Sequence, residues 1–154
     1  MVGNIQIREA DRQDIPAILA LYAQLDGDPA PALDLARAEE LWAVIERYPD
    51  YRVHVAESDG RVVGTFSLLV VVALSHRGVP GAVVEAVVVD ESCRSRGVGE
   101  AMMRHAMDLA RAKGCYKVSL SSSSRREDAH RFYDNLGFRR HGVSFLVELE
   151  ERNA

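Results

Sequence analysis

The chain has 154 residues, of which 47% are hydrophobic and 27% charged, and its net charge is −4 at pH 7. This length and composition are typical of one soluble globular domain and are short for two. The negative net charge argues against a general nucleic-acid-binding protein, which needs an excess of clustered Lys and Arg.

The cysteines and the apolar runs indicate the cellular setting. Cys93 and Cys115 have neither a C-x-x-C nor a metal-ligand spacing, so we expect no metal, while a disulfide between them stays possible. The first residues contain no apolar stretch of signal-peptide length. The longest apolar run, Phe66–Leu74, is too short to span a bilayer. We therefore expect a reduced, cytoplasmic protein without a membrane partner.

The N-terminal third of the chain predicts one strand and two helices. Apolar and polar residues alternate over Ile5–Ala10, as in a half-buried strand. Asp11 or Asp14 can cap the helix that follows. Gly27–Asp34 combines Gly, Pro and Asp and predicts a loop, and a second helix is predicted from Leu33 to Tyr48.

The middle of the chain predicts a hairpin, a buried strand and a helix. Tyr51–Ser58 and the run from Arg61 to Leu74 are strands joined by an Asp-Gly turn. The segment Val83–Asp90 is so apolar that we expect both of its faces to be covered. A helix with an apolar stripe of period 3.6 follows, and Gly114 is placed to end it.

The C-terminal third predicts a short strand, a helix and two more strands. YKVSLS is the short strand, and Ser124 with Glu127 fits a capping box for a helix through Asn135. Gly137 ends that helix, and FRRHG and VSFLVELE are predicted as a final pair of strands. The predicted order is β-α-α-β-β-β-α-β-α-β-β, in one α/β domain that spans residues 1–154.

The segment RSRGVG, at Arg94–Gly99, is a candidate anion site between a strand and a helix. It is not a G-x-G-x-x-G dinucleotide motif, because Met102 stands where the third Gly belongs, and no G-K-[ST] follows for a P-loop. What remains is R-x-x-G-x-G at a helix start, where free N–H groups and the helix dipole favour an anion. The alternative is a surface turn with two solvated arginines.

Three segments together resemble the GNAT superfamily of acyl-CoA-dependent N-acetyltransferases: VVVDESCRSRGVGEAM, GCYKVSLS and AHRFYDNLGF. The resemblance covers about Val83 to Val147. It implies a single-domain GNAT fold, with a mixed, mostly antiparallel central sheet flanked by helices, and acetyl-CoA as the cosubstrate. Within the superfamily the first segments are most similar to glucosamine-phosphate enzymes, whereas SRREDAHRFY is closer to small-amine enzymes of the aminoalkylphosphonate and aminoglycoside kind.

The resemblance also assigns the binding of acetyl-CoA to particular residues. Backbone groups of Val87, Val88 and Val89 would pair with the pantetheine arm, along a strand edge that a β-bulge splays open. Further contacts, to the pyrophosphate and nearby groups, would come from Arg94, Ser95, Arg96, Gly97, Val98, Gly99, Ser121, Arg126 and Tyr133. Arg126 departs from the family pattern, in which Asn often stands seven residues before the tyrosine, and the serines at 121–124 could replace its hydrogen bonds.

Glu85 and Tyr133 are the predicted catalytic residues. Glu85 is the ionisable residue of GAVVEAVVV, nine residues before Arg94 as in the glucosamine-phosphate enzymes. A carboxylate buried in an apolar strand is costly unless paired, and burial would suit it to act as a general base. The alternative is an edge-exposed glutamate that faces solvent or another subunit. His54 is a weaker alternative base.

Tyr133 matches the family's tyrosine that protonates the departing thiolate, a task for which a phenol O–H is suited. The alternative is a core tyrosine, because Ala129, Phe132 and Leu136 share its helical face. The reaction would be direct transfer, with the oxyanion held by a strand N–H near Val87. Neither cysteine has the features of an acyl carrier.

The leading hypothesis is thus an acetyl-CoA-dependent N-acetyltransferase that acts on a primary amine of a small molecule. Alternatives are a protein N-terminal or lysine acetyltransferase and a non-catalytic CoA-binding regulatory module. His76 and Arg77, or Arg125 and Arg126, could meet an anionic substrate. The resemblance and the strand-rich C-terminus also favour a homodimer.

Overall fold

The computed structural model of the protein describes residues 3–25 and 33–149. They fall into two compact units, one through Leu120 and one from Ser121. The first unit contains β1 (Ile5–Glu9), α1 (Ile15–Tyr22), α2 (Leu35–Ile45), β2 (Tyr51–Ser58), β3 (Arg61–Val71), β4 (Gly81–Val89), α3 (Val98–Ala112) and β5 (Val118–Ser119), and the second contains α4 (Glu127–Asn135). Most of the predicted loop at Gly27–Asp34 lies outside the described residues.

The strands form a single mixed sheet with the order β1-β2-β3-β4-β5. The first four are antiparallel neighbours in chain order, and β5 pairs with β4 in parallel. Asp59 and Gly60, which join β2 to β3, both have positive φ, as a two-residue hairpin turn requires. The predicted fold class, a mostly antiparallel mixed sheet flanked by helices, is confirmed.

The helices of the first unit cover opposite faces of this sheet. Ile15 and Ile18 of α1 and Trp42 of α2 pack with Val53 and Val55 of β2 in one buried cluster. On the other face, α3 lies so close to β3 that a Cβ added to Gly64 would be 2.9 Å from the Met102 sulfur. Two side chains of α3, Met102 and Met103, are fully buried there.

The start of α1 is fixed by local hydrogen bonds of the predicted kind. Asp11 caps a short 3-10 turn at Arg12–Asp14, and α1 follows directly. The buried carboxylate of Asp14 accepts two hydrogen bonds from Arg8, at 2.7 and 2.9 Å, and these keep its pKa below the usual value. Asp11 therefore caps the 3-10 turn that precedes α1, and Asp14 is the N-cap residue of α1 without a side-chain capping hydrogen bond.

Two predictions for the second unit are wrong. The predicted capping box of Ser124 and Glu127 does not form, because Arg126 is the N-cap residue and no side chain caps α4. The predicted final strands FRRHG and VSFLVELE are absent, since residues 138–149 form neither helix nor strand. Their alternating apolar pattern fits a strand, but a strand also needs a hydrogen-bonded neighbour, and Phe145 is 93% exposed here.

Candidate functional site

Strand β4 contains a β-bulge at the centre of the predicted site. Thr65 of β3 pairs with Val88 and Ser67 pairs with Glu85, so the two residues Ala86 and Val87 face the single residue Phe66. Ala86 has a φ of +51°, a left-handed conformation that is uncommon without glycine. The expected bulge is present, and it turns the backbone of the strand at Val87.

Within the described part of the first unit, one edge of β4 has no strand beside it from Val84 onwards. The parallel strand β5 pairs with β4 only at Ala82 and Val83. Among the described residues up to Leu120, no strand continues this pairing along Val84–Val89. Backbone N–H and C=O groups on such an edge can take an extended ligand as if it were another strand.

The anion loop, Arg94–Gly99, opens directly onto the N-terminus of α3. Gly97 is the N-cap residue and has a left-handed φ of +86°, with open space on the side where a Cβ would project. The side chains of Arg94 and Arg96 are exposed. The first N–H groups of this 15-residue helix therefore face an open cradle with two cations at its rim.

Glu85 lies next to the bulge, but it is not buried. The prediction of a buried carboxylate is wrong, because Glu85 is exposed where the bulge interrupts the strand. The prediction that both faces of β4 are covered is wrong at this same position. Within the described part of the chain, no ion pair or hydrogen bond to the Glu85 carboxylate is present, and the group is open to a ligand.

The cross-strand register places Glu85 on the sheet face that α1 and α2 cover. Glu85 pairs with Ser67, which pairs with Val53, and directly opposed residues share a face. Tyr22 of α1 approaches this face. Burial raises the pKa of Tyr22, and a hydrogen bond with Ser67 partly offsets the rise. Sequence reasoning missed Ser67, since only the pairing of β3 with β4 places it opposite Glu85.

His54 belongs to the opposite face of the sheet. Its ring stacks on Phe66, with centroids 4.9 Å apart, and faces His105 of α3 at 6.2 Å. Only 5% of His54 is exposed, and burial lowers its pKa to about 4. The idea that His54 lies near the acceptor cleft as an alternative base is therefore wrong.

A group of cationic and aromatic side chains lies at the start of β4 and β5. The His76 and Tyr116 rings pack at a tilt of 32° with centroids 4.5 Å apart, and the Lys117 ammonium is 5.4 Å from the centre of the Tyr116 ring. His76 and Arg77 have φ of +51° and +58°. Lys117 was not singled out from the sequence, although it stands in the segment GCYKVSLS that the family resemblance includes.

The second unit contains the remaining predicted residues. Tyr133 packs against Phe132 and Phe138, with ring centroids 5.0 and 5.6 Å away. Burial raises the pKa of Tyr133, and the charge of Arg126 partly opposes this. The Ser121 hydroxyl is 3.1 Å from that of Ser144.

The structure contains two free cysteines, and neither contacts the other. Cys93 is buried beside the anion loop, and burial raises the pKa of the Cys115 thiol. Among residues 3–25 and 33–149, no helix is long and apolar enough to cross a membrane.

Comparison with known proteins agrees with this architecture. The acetyltransferase (GNAT) family model matches residues 15–138. A glucosamine 6-phosphate N-acetyltransferase of Trypanosoma brucei brucei is 32% identical over 149 residues, which cover 96% of this chain and 98% of that protein. An aminoalkylphosphonate N-acetyltransferase of Salmonella typhimurium is 29% identical over 144 residues, which cover 94% and 91%.

Compared with a crystal structure of a Trypanosoma brucei acetyltransferase, this chain has a TM-score of 0.81 and 30% sequence identity. The match covers 95% of this chain and 100% of the other. The matched residues of the family model include the bulged strand, the anion loop, α3 and α4. The chain therefore belongs to the acetyltransferase (GNAT) family of enzymes.

Proposed function

We propose that the protein transfers an acetyl group from acetyl-CoA directly to a primary amine of a small molecule. The observation that carries the proposal is the open edge of β4, bulged at Ala86 and Val87 and followed at once by an exposed helix N-terminus. An edge of this kind suits the amide-rich pantetheine arm, and the helix start suits the pyrophosphate.

The residues of the first unit fit acetyl-CoA. Val87, Val88 and Val89 would bind the pantetheine through their backbone, and the anion loop would hold the pyrophosphate with N–H groups, Arg94 and Arg96. The open space beside Gly97 lets phosphate oxygens approach these N–H groups closely. Ser121 and Arg126 remain proposed contacts. When bound, acetyl-CoA supplies an acetyl group activated as a thioester.

Glu85 would act as the general base. A substrate ammonium must lose a proton before its nitrogen can attack, and an exposed carboxylate beside the bulge can accept that proton directly or through water. The N–H of Val87 would donate a hydrogen bond to the oxygen on which negative charge develops. Glu85 and this N–H lie two residues apart on the same strand, which favours their joint action.

Tyr133 would return a proton to the departing sulfur. A phenol is protonated at neutral pH, as an acid requires, and burial raises the pKa of Tyr133 further above that pH. Its packing against Phe132 and Phe138 holds the ring in place, so the core position expected as the alternative is compatible with the role of an acid.

The acceptor would be an amine that also bears an anionic group such as phosphate or phosphonate. The Lys117 cation lies near Gly81, four residues before Glu85 on β4, and His76 packs on Tyr116 at the same place, with Arg77 next to it in the chain. At about 3.3 Å per residue along the strand, Gly81 and Glu85 are roughly 13 Å apart, a span that a small amine with a phosphate or phosphonate group would have to bridge. Two relatives are named for acceptors that carry phosphorus.

A thiol-release assay with acetyl-CoA and a panel of amines tests this function. We expect turnover with glucosamine phosphate or an aminoalkylphosphonate, and weaker turnover with polyamines, aminoglycosides and peptides. Turnover with peptides alone would favour a protein acetyltransferase. Binding of CoA with no turnover on any amine would favour a regulatory module instead.

Substitution of the two proposed catalytic residues tests the mechanism. We expect Glu85→Gln and Tyr133→Phe each to lower kcat by about 10²- to 10⁴-fold, because each removes a proton-transfer group, while CoA binding persists. Glu39→Gln and Tyr48→Phe, both at exposed positions, serve as matched controls with unchanged kcat. Full activity in both catalytic variants would contradict the assignment of the two residues.

A further inference from the structure

A short 3-10 turn, Glu91–Cys93, connects the end of β4 to the anion loop. Asp90 caps this turn, and its carboxylate accepts hydrogen bonds from the Ser92 backbone N–H at 2.9 Å and from the Ser92 hydroxyl at 2.7 Å. These hydrogen bonds lower the pKa of Asp90, so the carboxylate is charged at neutral pH. The turn determines the direction in which the anion loop leaves the strand.

Gln24, two residues beyond the end of α1, reaches this turn across the unit. Its side-chain oxygen accepts a hydrogen bond from the Glu91 backbone N–H at 2.9 Å. The carboxamide also helps to lower the pKa of the neighbouring Asp90, to a smaller extent than the hydrogen bonds from Ser92. A carboxamide can accept from an N–H and donate to a carboxylate at the same time, whereas an ionised carboxylate can only accept.

Arg61 of β3 holds the same turn from another direction. Its Nη2 donates to the Ser92 hydroxyl at 3.1 Å and lies 3.9 Å from the Asp90 carboxylate. The turn is thus tied to α1 by Gln24 and to β3 by Arg61, through side chains that do not belong to the anion loop. Such ties reduce the conformational freedom that the loop loses when it binds a ligand.

We propose that Gln24 is a positioning residue for the binding of CoA. It fixes the Asp90–Cys93 turn, and through the turn it fixes the orientation of the N–H groups and arginines that receive the pyrophosphate. The inference rests on the proposed function, because it takes the ligand of the anion loop to be CoA. It also links the loop to α1, the helix that covers the sheet face on which Glu85 lies.

The test compares Gln24→Ala and Gln24→Glu with the wild type. Calorimetry gives the Kd for CoA, steady-state kinetics give kcat and the KM for acetyl-CoA, and thermal melting reports folding. We expect Gln24→Ala to raise Kd and KM by about five- to tenfold, as the loss of one hydrogen bond implies, with kcat within about twofold. Gln24→Glu should also raise them, because it places a second carboxylate beside Asp90 and the two like charges repel.

Gln13→Ala, which removes an exposed glutamine side chain before α1, is the matched control and should leave Kd unchanged. Amide exchange at Glu91, whose N–H is bonded to Gln24, should be faster in Gln24→Ala, which removes the acceptor oxygen, and reports the loss of the contact directly. Wild-type Kd and KM in both variants would overturn the positioning role while leaving the proposed function intact. Failure of the wild type itself to bind CoA would overturn both.

Discussion

His54 shows how a single buried side chain can make stability depend on pH. Its Nδ1 atom is buried and has no hydrogen-bond partner among the described residues, and its ring is enclosed by Phe66 and His105. Burial lowers the pKa of His54 from an ordinary value of 6.5 to about 4 in the folded protein. Between these two values the unfolded chain binds a proton at this position and the folded protein does not.

The free energy of unfolding should therefore fall as the pH is lowered from about 6.5 towards 4. From pH 7 to pH 5 the loss due to His54 is about 2 kcal/mol, since the unfolded state gains the proton. Urea denaturation at a series of pH values measures it. We expect His54→Phe to flatten this dependence, while His141→Gln, at an exposed position, should retain it. Equal slopes in the wild type and His54→Phe would contradict the assignment.

The side chains of the site differ in how far the sequence could predict them. The loop at Arg94–Gly99 and the helix start after it were predictable because Gly97 and Gly99 are close together in the chain and mark a local boundary, while the binding of an anion there stays a prediction. The exposure of Glu85 and the burial of His54 could not be predicted from the sequence, because both depend on how their strands pair with β3. An apolar run in the sequence does not show the position of a β-bulge. That position determines which side chains of the strand point away from the core.

Helix α3 can lie close to the sheet because β3 has a glycine where they meet. A Cβ at Gly64 would be 2.9 Å from the Met102 sulfur and 3.2 Å from the Val88 carbonyl oxygen. We expect Gly64→Ala to lower the free energy of unfolding by about 1–3 kcal/mol, because Met102 is fully buried and has little space to move. Urea denaturation measures the change.

The matched control for Gly64 is Gly142→Ala, since nothing lies within 4 Å of its added Cβ. It should change stability by less than about 0.5 kcal/mol. If the two variants are equally stable, the close approach of α3 to β3 is not a tight contact.

The helices and strands up to α4 were predictable because each shows the hydrophobic period of its type and is bounded in the sequence by residues that begin or end such elements. Gly114 and Gly137, both with positive φ, follow α3 and α4 as predicted. The last two strands were not predictable on the same basis, since a strand forms only with a neighbour. The capping box failed because Arg126, and not Ser124, is the residue at the helix boundary.

The C-terminal segment suggests how two copies of the protein would associate. Five apolar side chains are between 79% and 93% exposed in it, namely Val143, Phe145, Leu146, Val147 and Leu149. Contiguous exposed apolar surface commonly marks a protein interface. The homodimer expected from the resemblance stays a prediction, and this surface supports it.

Light scattering coupled to size-exclusion chromatography measures the oligomeric state. We expect a dimer for the wild type and a shift to monomer for the double variant Phe145→Glu and Val147→Glu, because charges disfavour burial of the segment. Arg139→Glu, which changes a charge outside the apolar run, is the control and should remain dimeric. A wild type that is monomeric at all concentrations would contradict the prediction.

The order of the sheet also has a consequence for folding. Strands β1 to β4 pair with their antiparallel neighbours, whereas β5 joins β4 in parallel only after the chain has passed through α3. Pairings between distant segments form more slowly than local hairpins, so we expect the β2–β3–β4 ribbon to form early and β5 to dock late. The part of the sheet where β4 and β5 stop pairing is then among the last features to form. A ligand bound there stabilises the completed fold by mass action.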